Sequence, residues 1–457
     1  MKKFLLFIGM AACLSACCSS PKIDSSVPAK VKDGIITLET PARPAGQMDA
    51  LQLTCDPIET IRVAFVGLGM RGPGAVKRWS YLDGIEIKAI CDVEQSNLDK
   101  VQGMLTKYER PAADEYVGPE AYKELCERDD IDLVYIATDW IHHTPIAVYA
   151  MEHGKHVAIE VPSAMSIDEC WQLVNTCEKT RKHCMMLENC VYDFFEITAL
   201  NMAQHGLFGE IYHVEGAYIH NLEPFWHEYW QNWRLLYNQT HRGDNYPTHG
   251  IGPVCQALNI HRGDKMNYVV SMDTDAFNAK DVAIEMTGTE DIANGDHVVS
   301  LIRTEKGKQI EIHHNVYAAR PYSRMYQLTG TKGYASKYPK GQLAVGDTIE
   351  ETEEFASKEK YDSLMTAYKP AFVAEIEDMA KSVGGHGGMD FIMDYRLVYC
   401  LHNGLPLDQD VYDLAEWCCL TELSRLSIEN NSMPVEVPDF TRGNWNKLNT
   451  VTFATKE

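Results

Sequence analysis

A glycine-rich turn directly after a short apolar run constrains the fold of this chain more than any other feature. The run Arg62–Val66 is rich in apolar and β-branched residues, as expected of a strand buried in a parallel sheet. Gly67, Gly69 and Gly72 follow at the spacing G-x-G-x-x-G. At this spacing the first glycine permits a tight turn, the second lets the backbone approach a pyrophosphate, and the third lets a helix pack on the strand. The pattern predicts a dinucleotide-binding Rossmann fold.

A second apolar run strengthens this prediction and indicates which dinucleotide binds. Ile85–Asp92 ends in an acid twenty positions after Gly72. A carboxylate at the end of the second strand is placed to bind the ribose hydroxyls of the adenosine. Because it would repel a 2′-phosphate, Asp92 favours NAD over NADP.

Length and composition allow two domains and exclude one class of partner. The chain has 457 residues, of which 45% are hydrophobic, and a formal net charge of -23. Without a lysine- or arginine-rich patch, this charge would repel a phosphate backbone, so no nucleic-acid partner is expected. Once Cys13, Cys17 and Cys18 are set aside, eleven cysteines remain, and they show no C-x-x-C pair or zinc spacing. No metal site is predicted, and buried free thiols are favoured over disulfides, although pairing stays open.

The amino terminus has the pattern of an export signal. Met1–Lys3 is basic, and Phe4–Leu14 is apolar but far shorter than the roughly 20 residues that span a bilayer. Leu14-Ser15-Ala16-Cys17 resembles the lipobox of bacterial lipoproteins. We therefore expect residues 1–16 to be a signal peptide, Cys17 to carry the lipid and residues 17–57 to be a spacer. The protein would then lie in the bacterial cell envelope and meet the membrane only through this anchor. The alternative is secretion with cleavage near Ala16.

Strands and helices alternate through the first part of the mature chain. Further strands are predicted at Leu133–Ala137, His156–Glu160 and Cys184–Glu188. One intervening helix covers Ile141–His153, and a capping box at Ser166–Glu169 opens another that runs to about Arg181. This α/β alternation predicts a doubly wound parallel sheet, the NAD-binding domain, over residues 58–190.

The pattern changes in residues 191–457, which we expect to form a substrate-binding α+β domain with an open, mainly antiparallel sheet. A helix is predicted first, at Asp193–His205, and strands without intervening helices follow. One face of the sheet would pack on helices and the other would face the active site. The expected strands are Glu210–His220, Met266–Met272, Val298–Thr304, Gln309–Val316 and Arg324–Gly330, and the expected later helices are Ala371–Val383, Phe391–Asn403 and Val411–Asn430.

This two-part plan resembles the glucose-fructose oxidoreductase and inositol dehydrogenase family. In that family the strand before the nicotinamide pocket commonly ends in Glu-Lys-Pro, whose lysine handles the proton of the alcohol. Here Glu160-Val161-Pro162 stands in that place, and valine cannot exchange a proton. Either catalysis is lost or the proton chemistry has moved. The polar stretch Tyr246–His249, which opens a predicted helix, is the candidate for the second possibility.

An aromatic segment precedes this polar stretch. Flat rings stack on the apolar faces of sugars, so the segment predicts a carbohydrate site, with a core cluster as the alternative for any one ring. The rings are those of Tyr218, Phe225, Trp226, Tyr229, Trp230, Trp233 and Tyr237.

Six separated motifs together resemble glycoside hydrolase family 109. They are Gly67–Ala75, Trp140–His143, Glu160–Pro162, Met186–Cys190, Tyr246–His249 and Pro321–Arg324. The resemblance implies an α-N-acetylgalactosaminidase that keeps NAD tightly bound and regenerates it in each turnover. The chain departs from the family pattern at Ile141-His142 and over residues 222–245, which shape the sugar pocket.

The resemblance also implies which residues form the site. Those lining NAD would be Met70, Arg71, Asp92, Trp140, His143, Glu160, Val161, Asn189 and Tyr246. Those facing the sugar would be Tyr218, Arg234, Tyr246, Pro247, Thr248, His249 and Tyr322.

The implied reaction oxidises sugar C3, eliminates the glycosidic oxygen after loss of the C2 proton, adds water and reduces C3 again, with net retention. We expect His249, helped by Tyr246, to handle the C3 hydroxyl proton, and Tyr218 or Tyr322 to act at C2. The expected partner is a glycan that bears N-acetylgalactosamine, and a homo-oligomer is possible. The rival functions are an NAD-dependent sugar or polyol dehydrogenase and a non-catalytic carbohydrate-binding lipoprotein.

Overall fold

The computed structural model of the protein describes residues 23–453, 455 and 456. The predicted signal peptide and Cys17 lie outside the described residues. In the part of the chain that is described, the strands form a six-stranded and a ten-stranded sheet. No helix in this part is both long and apolar enough to cross a bilayer.

Much of the predicted spacer packs against the rest of the protein. Strands β1 (Ala29–Lys32) and β2 (Ile35–Leu38) form an antiparallel hairpin. The Ser26 hydroxyl donates a hydrogen bond of 2.6 Å to Glu422, and Arg43 pairs with the buried Glu178 at 2.9 Å. Because Ile36 is also completely buried, residues 26–43 pack as part of the fold, whereas we expected a spacer over residues 17–57.

The first domain is the predicted doubly wound parallel sheet. Its strand order is β5-β4-β3-β6-β7-β8, and every pair is parallel. Its elements are β3 (Ile61–Val66), α1 (Gly72–Trp79), β4 (Ile85–Asp92), α2 (Gln95–Lys107), β5 (Asp114–Val117), α3 (Tyr122–Cys126), β6 (Leu133–Ile136), α4 (Trp140–Glu152), β7 (His156–Ile159), α5 (Ile167–Thr180) and β8 (Cys184–Met186).

Local signals in the sequence explain where two of these helices begin. The Asp139 carboxylate caps α4 by accepting from the His142 N–H, and the Ser166 side chain caps α5 by accepting from the Glu169 N–H. The Glu169 carboxylate accepts a hydrogen bond of 2.6 Å from the Met165 N–H, one residue before the cap. In the predicted capping box this carboxylate would accept from the N–H of Ser166, the cap residue itself. It accepts instead from the N–H of Met165, one position earlier.

The second domain contains the larger sheet, whose order is β1-β2-β16-β10-β11-β12-β9-β13-β14-β15. Two contacts, β9 with β12 and β2 with β16, are parallel, and the others are antiparallel. Its remaining elements are α6 (Phe194–Gln204), β9 (Ile211–Ile219), α7 (Trp233–Thr240), α8 (Thr248–Ala257), β10 (Met266–Asp273), α9 (Asn278–Thr287), β11 (Val298–Thr304), β12 (Gln309–Asn315), β13 (Gln327–Gly330), β14 (Gly333–Ser336), β15 (Gln342–Val345), α10 (Ile349–Glu353), α11 (Lys358–Ala367), α12 (Ala371–Val383), α13 (Met389–Asn403), α14 (Val411–Cys418), α15 (Leu420–Glu429) and β16 (Val435–Glu436).

The structure corrects two expectations for this domain. Helices do intervene between the strands, since α7 and α8 separate β9 from β10, and α9 separates β10 from β11. The helix predicted over Val411–Asn430 is divided at Cys419. The division lets α14 pack on α5 and β8 while α15 packs on β10, so tertiary contacts override a continuous helical pattern.

The helices and the candidate site share one face of the large sheet, whereas we expected them on opposite faces. Gly216 and Tyr218 are two positions apart on β9 and therefore project to the same face. Helix α8 packs there so closely that a Cβ on Gly216 would lie 2.1 Å from the Gly250 carbonyl oxygen. Both glycines are needed for this approach, which brings His249 next to the Tyr218 ring.

The cysteines of the described chain are all free thiols. There are eleven, and only Cys55 is not fully buried. Cys170 and Cys177 lie on the buried face of α5, as predicted from their spacing. Burial raises the pKa of the Cys177 thiol far above its ordinary value, so this thiol is unreactive near neutral pH.

Candidate active site

A cavity of about 230 Å³ lies where the carboxyl ends of the parallel strands meet the second domain. In doubly wound folds ligands bind at this edge, because the loops after the strands converge there. Its lining from the first domain is Met70, Arg71, Ala137, Thr138, Trp140, His143, Glu160, Val161 and Asn189. Its lining from the second domain is Tyr218, His220, Leu222, Phe225, Tyr229, Trp233, Arg234, Tyr246, His249, Tyr322, His386 and Met389.

The glycine turn beside the cavity leaves room for a pyrophosphate. Gly67 has a φ of +91°, and a Cβ on it would lie 2.6 Å from the Ala137 backbone. A Cβ on Gly72 would lie 2.1 Å from the Gly67 carbonyl oxygen, so the start of α1 packs tightly on the turn. Gly69 has no protein atom within 4 Å of the same position, and no described side chain caps the first turn of α1. The turn therefore fits the phosphates of a dinucleotide.

Asp92 supports the turn and lies outside the cavity lining. Its Oδ2 accepts a hydrogen bond of 2.6 Å from the Leu68 N–H, and its Oδ1 accepts from the Glu94 N–H at 2.9 Å and from Asn97 Nδ2 at 3.0 Å. The carboxylate thus holds the backbone of the glycine turn in place. Its contact with a ribose stays a prediction.

A charged network at the base of the cavity joins the two domains. Arg71 pairs with Glu160 at 3.2 Å and with Asp390 of α13 at 3.2 Å. Asp390 also accepts from Asn189 and lies 3.4 Å from Arg78. Burial raises the pKa of Asp390, but Arg71, the hydrogen bond with His386 and Arg78 together more than offset this effect and hold that pKa well below its ordinary value. Sequence reasoning missed Asp390, because it lies 319 positions from Arg71.

Val161 lines the cavity at the predicted nicotinamide position, and its side chain cannot exchange a proton. His143 has Nδ1 at 2.7 Å from the Pro162 carbonyl oxygen, and burial lowers its pKa. Trp140 is almost completely buried and meets Trp233 edge to face at 5.0 Å between ring centroids. These contacts make a rigid, largely apolar wall.

Three side chains form a hydrogen-bonded series that ends in the cavity. Tyr246 Oη lies 3.3 Å from His249 Nε2, and His249 Nδ1 lies 2.8 and 2.9 Å from the two carboxylate oxygens of Glu188. Glu188 is completely buried and also accepts from the Cys190 N–H at 3.0 Å. Burial raises the pKa of Glu188, but His249 and this backbone donor lower it, and the net pKa is below the ordinary value. An ionised Glu188 places the proton of His249 on Nδ1 and leaves Nε2 as an acceptor.

Sequence reasoning missed the role of Glu188. Its signal was its place at the end of the buried run that forms β8, because side chains that follow parallel strands meet at the ligand-binding edge. Nothing in the sequence showed that it would reach His249, 61 positions away.

Both tyrosines proposed as C2 bases line the cavity. Tyr218 Oη lies 3.0 Å from His220 Nδ1, and burial raises the pKa of Tyr218 to about 12. Tyr322 is 37% exposed at the mouth, and its hydroxyl accepts a hydrogen bond of 3.1 Å from Arg324. The geometry therefore keeps both as candidates.

The other predicted sugar contacts divide between cavity and core. Of the polar stretch, Pro247 and Thr248 are buried at the start of α8 and do not line the cavity. Of the aromatic segment, Phe225, Tyr229 and Trp233 line it. Trp226 stacks instead on Tyr317, with centroids 5.6 Å apart, and Trp230 and Tyr237 also lie outside the lining.

Two groups of side chains in the described chain have the types and spacing that hold metal ions. They are Glu188, Cys190 and His249, and His261, Asp410 and Asp413. In the first group Glu188 and His249 contact each other directly at 2.8 Å, and in the second Asp413 pairs with Arg262 at 2.7 Å. That no metal is required stays a prediction.

Two family models match the chain in the regions of the two domains. Residues 61–188 match the oxidoreductase family with an NAD-binding Rossmann fold, and residues 192–447 match the glycosyl hydrolase 109 C-terminal domain. The two-domain α/β fold class is confirmed, and the first domain is an NAD-binding domain.

Similar proteins cover nearly the whole chain. A glycosyl hydrolase family 109 protein of Bacteroides thetaiotaomicron is 58% identical and covers 98% of both chains. One from Porphyromonas gingivalis is 56% identical, over 98% of this chain and 97% of that one.

Solved structures share the fold at low identity. A levoglucosan dehydrogenase in complex with NADH has a TM-score of 0.64 and 15% identity, over 83% of this chain and all of the other. A scyllo-inositol dehydrogenase from Lactobacillus casei with bound NAD(H) and scyllo-inositol has a TM-score of 0.60 and 15% identity, over 83% of this chain and 99% of the other.

Proposed function

The chain belongs to glycoside hydrolase family 109 and is an NAD-dependent glycoside hydrolase, and we propose that it removes terminal α-linked N-acetylgalactosamine from glycans. We further propose that NAD stays bound and is regenerated in each turnover. The series Glu188–His249–Tyr246 carries the proposal. It supplies a proton acceptor beside the cavity, where Val161 leaves the cofactor-binding strand without one.

The residues of the chain have distinct tasks in this reaction. When bound, NAD would remove a hydride from sugar C3 and later return it. Glu188 orients His249, whose Nε2 accepts the proton of the C3 hydroxyl, with Tyr246 as its hydrogen-bonding partner. Tyr218 or Tyr322 takes the C2 proton, and the phenol first passes its own proton on; for Tyr218 the acceptor at hand is His220 Nδ1, 3.0 Å from its hydroxyl. Loss of the C2 proton expels the glycosidic oxygen from C1, and water then adds at C1 while a proton returns to C2. His249 returns its proton when C3 is reduced, so the net change is hydrolysis of the glycosidic bond.

Two other functions have less support. The structural neighbours include dehydrogenases, but at 15% identity this likeness concerns the fold alone. A dehydrogenase that releases NADH would need a supply of NAD, which is scarce in the cell envelope, where we propose that this protein lies. A purely binding protein has no use for a buried carboxylate that orients a histidine.

One experiment separates these functions. The purified protein is incubated, without added cofactor, with an aryl α-N-acetylgalactosaminide, and the released aryl alcohol and NADH are followed by absorbance. Release without net NADH supports the hydrolase. Accumulation of NADH with added NAD supports the dehydrogenase. The absence of both signals would contradict catalysis on this sugar. In the active protein His249→Ala should abolish turnover while NAD remains bound, and near-normal rates would eliminate its role.

We also propose that the protein is a lipoprotein of the cell envelope, anchored through Cys17. The proposal rests on the sequence, because Cys17 lies outside the described residues. Cys17→Ala should release the protein from the membrane fraction and abolish labelling by a fatty-acid analogue. Persistent membrane association of this variant would contradict the anchor.

A further inference from the structure

Arg234 places a buried positive charge at the wall of the cavity. It lies on α7 and is 5% exposed. Its guanidinium carbon is 4.5 Å from the centroid of the Tyr246 ring, 5.0 Å from that of Trp140 and 5.3 Å from that of Tyr229. The cation is thus surrounded by aromatic rings at the site where the sugar is proposed to bind.

Arg234 has no acidic partner among the described residues. Its Nη1 donates a hydrogen bond of 2.7 Å to the Tyr229 hydroxyl, and its Nε has no partner in the described chain. The other buried arginines of this part of the chain are all paired: Arg78 with Asp394 at 2.6 Å, Arg262 with Asp413 at 2.7 Å, Arg324 with Glu196 at 2.6 Å and Arg396 with Asp408 at 2.7 Å.

Nearby titratable groups do not neutralise this charge. Burial and the charge of Arg234 itself lower the pKa of His220 to about 4 and that of His314 to about 3, so both imidazoles are neutral near pH 7. Burial raises the pKa of Tyr218 to about 12, so before the reaction its hydroxyl is neutral near pH 7. The carboxylates that line or support the cavity are engaged elsewhere, Glu188 with His249 and Glu160 with Arg71. An isolated buried cation is costly, so the site is built for an anion that arrives with the substrate or forms from it.

We propose that Arg234 stabilises the enolate oxygen that forms at sugar C3 when the C2 proton leaves. This inference rests on the proposed function, in which C3 is a ketone at that stage. The base takes the C2 proton, and the electron pair of the C2–H bond moves toward the ketone, placing negative charge on its oxygen. The C3 ketone then re-forms as the pair makes the C1=C2 bond, the C1–O bond breaks, and the departing oxygen leaves with its electrons and takes up a proton from water.

The environment of Arg234 suits this role. Its charge is in place before the reaction, and the rings around it exclude water, which strengthens its attraction for an oxyanion. The Tyr229 hydroxyl holds one end of the guanidinium and leaves Nε free. A neutral sugar hydroxyl gains less from such a group, so Arg234 favours the charged intermediate over the bound substrate.

The kinetic test compares wild type with Arg234→Gln on substrates deuterated at C2 or at C3. We expect kcat to fall by about 100-fold or more, with KM changed by less than about threefold. The isotope effect from C2 should rise, because elimination becomes rate-limiting, and the effect from C3 should approach one. A loss confined to KM, with unchanged isotope effects, would show that Arg234 only binds the sugar. A preference of wild type for uronic or sulfated sugars, with unchanged isotope effects, would also overturn the enolate assignment.

A second test needs no turnover and stays informative if the proposed function fails. Calorimetric titration with sodium acetate should detect binding to wild type and not to Arg234→Gln. The matched control is Arg262→Gln, which removes a buried arginine that has a carboxylate partner and does not line the cavity. The control should lower Tm clearly, whereas Arg234→Gln should leave Tm of the ligand-free protein nearly unchanged. Absence of acetate binding, or an equal loss of Tm, would show that Arg234 is a structural cation.

Discussion

At the scale of single residues, the proposed chemistry depends on one contact between side chains of different domains. Glu188 follows the last strand of the parallel sheet, and His249 lies in the first turn of α8. Their contact at 2.8 Å fixes which imidazole nitrogen carries the proton. In the proposed function His249 is the proton acceptor, because Val161 cannot exchange a proton and Glu188 orients the imidazole.

Glu188→Gln tests this dependence. The amide group of glutamine can donate to Nδ1 of His249 and thereby put the imidazole proton on Nε2, where it blocks proton acceptance. We expect kcat to fall roughly 100-fold with little change in KM, because His249 itself remains in place. The measurement is steady-state hydrolysis of the aryl glycoside together with the NAD content of the purified protein.

The matched control for this variant is Glu416→Gln. Glu416 contacts Nδ1 of His261 at 2.7 Å, forms a second buried pair of the same type and does not line the cavity. It should lower stability without a comparable loss of kcat. Equal kinetic losses in both variants would assign the effect of Glu188 to general destabilisation.

At the scale of elements, the position of His249 is set by how closely α8 approaches β9. The approach depends on glycines in both elements, Gly250 and Gly216, since either Cβ would collide with the opposing backbone. The polar stretch Tyr246–His249 predicted a helix start correctly. It did not show on which face of the sheet that helix would lie. Which glycines permit a close approach can be recognised only when the opposing backbone is known.

Gly250→Ala should move α8 away from the sheet. Its Cβ would lie 2.7 Å from the Ala217 backbone nitrogen, closer than packing allows, so we expect a loss of about 1–3 kcal/mol in the free energy of unfolding. Because His249 is the adjacent residue, kcat should fall as well. Urea unfolding and steady-state kinetics measure the two effects.

The control for this variant is Gly103→Ala in α2. A Cβ on Gly103 meets no atom within 4 Å, so this change should be neutral or stabilising. If Gly250→Ala behaved like the control in both measurements, the close approach would not determine the site.

At the scale of the whole molecule, buried histidines predict how stability varies with pH. Burial lowers the pKa of His156 to about 3, of His183 to about 4 and of His314 to about 3. Below the unfolded-state pKa of about 6.5, these histidines bind protons in the unfolded chain but not in the folded chain. Each histidine therefore lowers the free energy of unfolding by roughly 1.4 kcal/mol for each pH unit below that value. Tm should therefore fall between pH 7 and pH 5.

The alkaline side has the opposite sign. Burial and Arg262 lower the pKa of His261, but the carboxylates that face it raise this pKa to about 10. A raised folded-state pKa gives stability that is complete below pH 6.5 and is lost as pH rises toward 10. Calorimetric scans should thus show maximal Tm near neutral pH. His314→Gln should reduce the fall of Tm between pH 7 and pH 5. An unchanged fall would contradict the contribution assigned to His314.

By itself the sequence determined the Rossmann domain, the bounds of most of its strands and the loops that reach the ligand-binding edge, because these depend on local periodicity, glycine spacing and caps. The sequence also predicted correctly, from its longer strand-forming runs, that the second sheet is mainly antiparallel. Only the tertiary structure decided that Glu188 meets His249, that Asp390 joins Arg71, that α8 shares the face of Tyr218 and that Arg234 has no acid among the described residues. Each of these is a relation between segments far apart in the chain. It depends on how the segments pack together in the folded protein, which local sequence patterns do not specify.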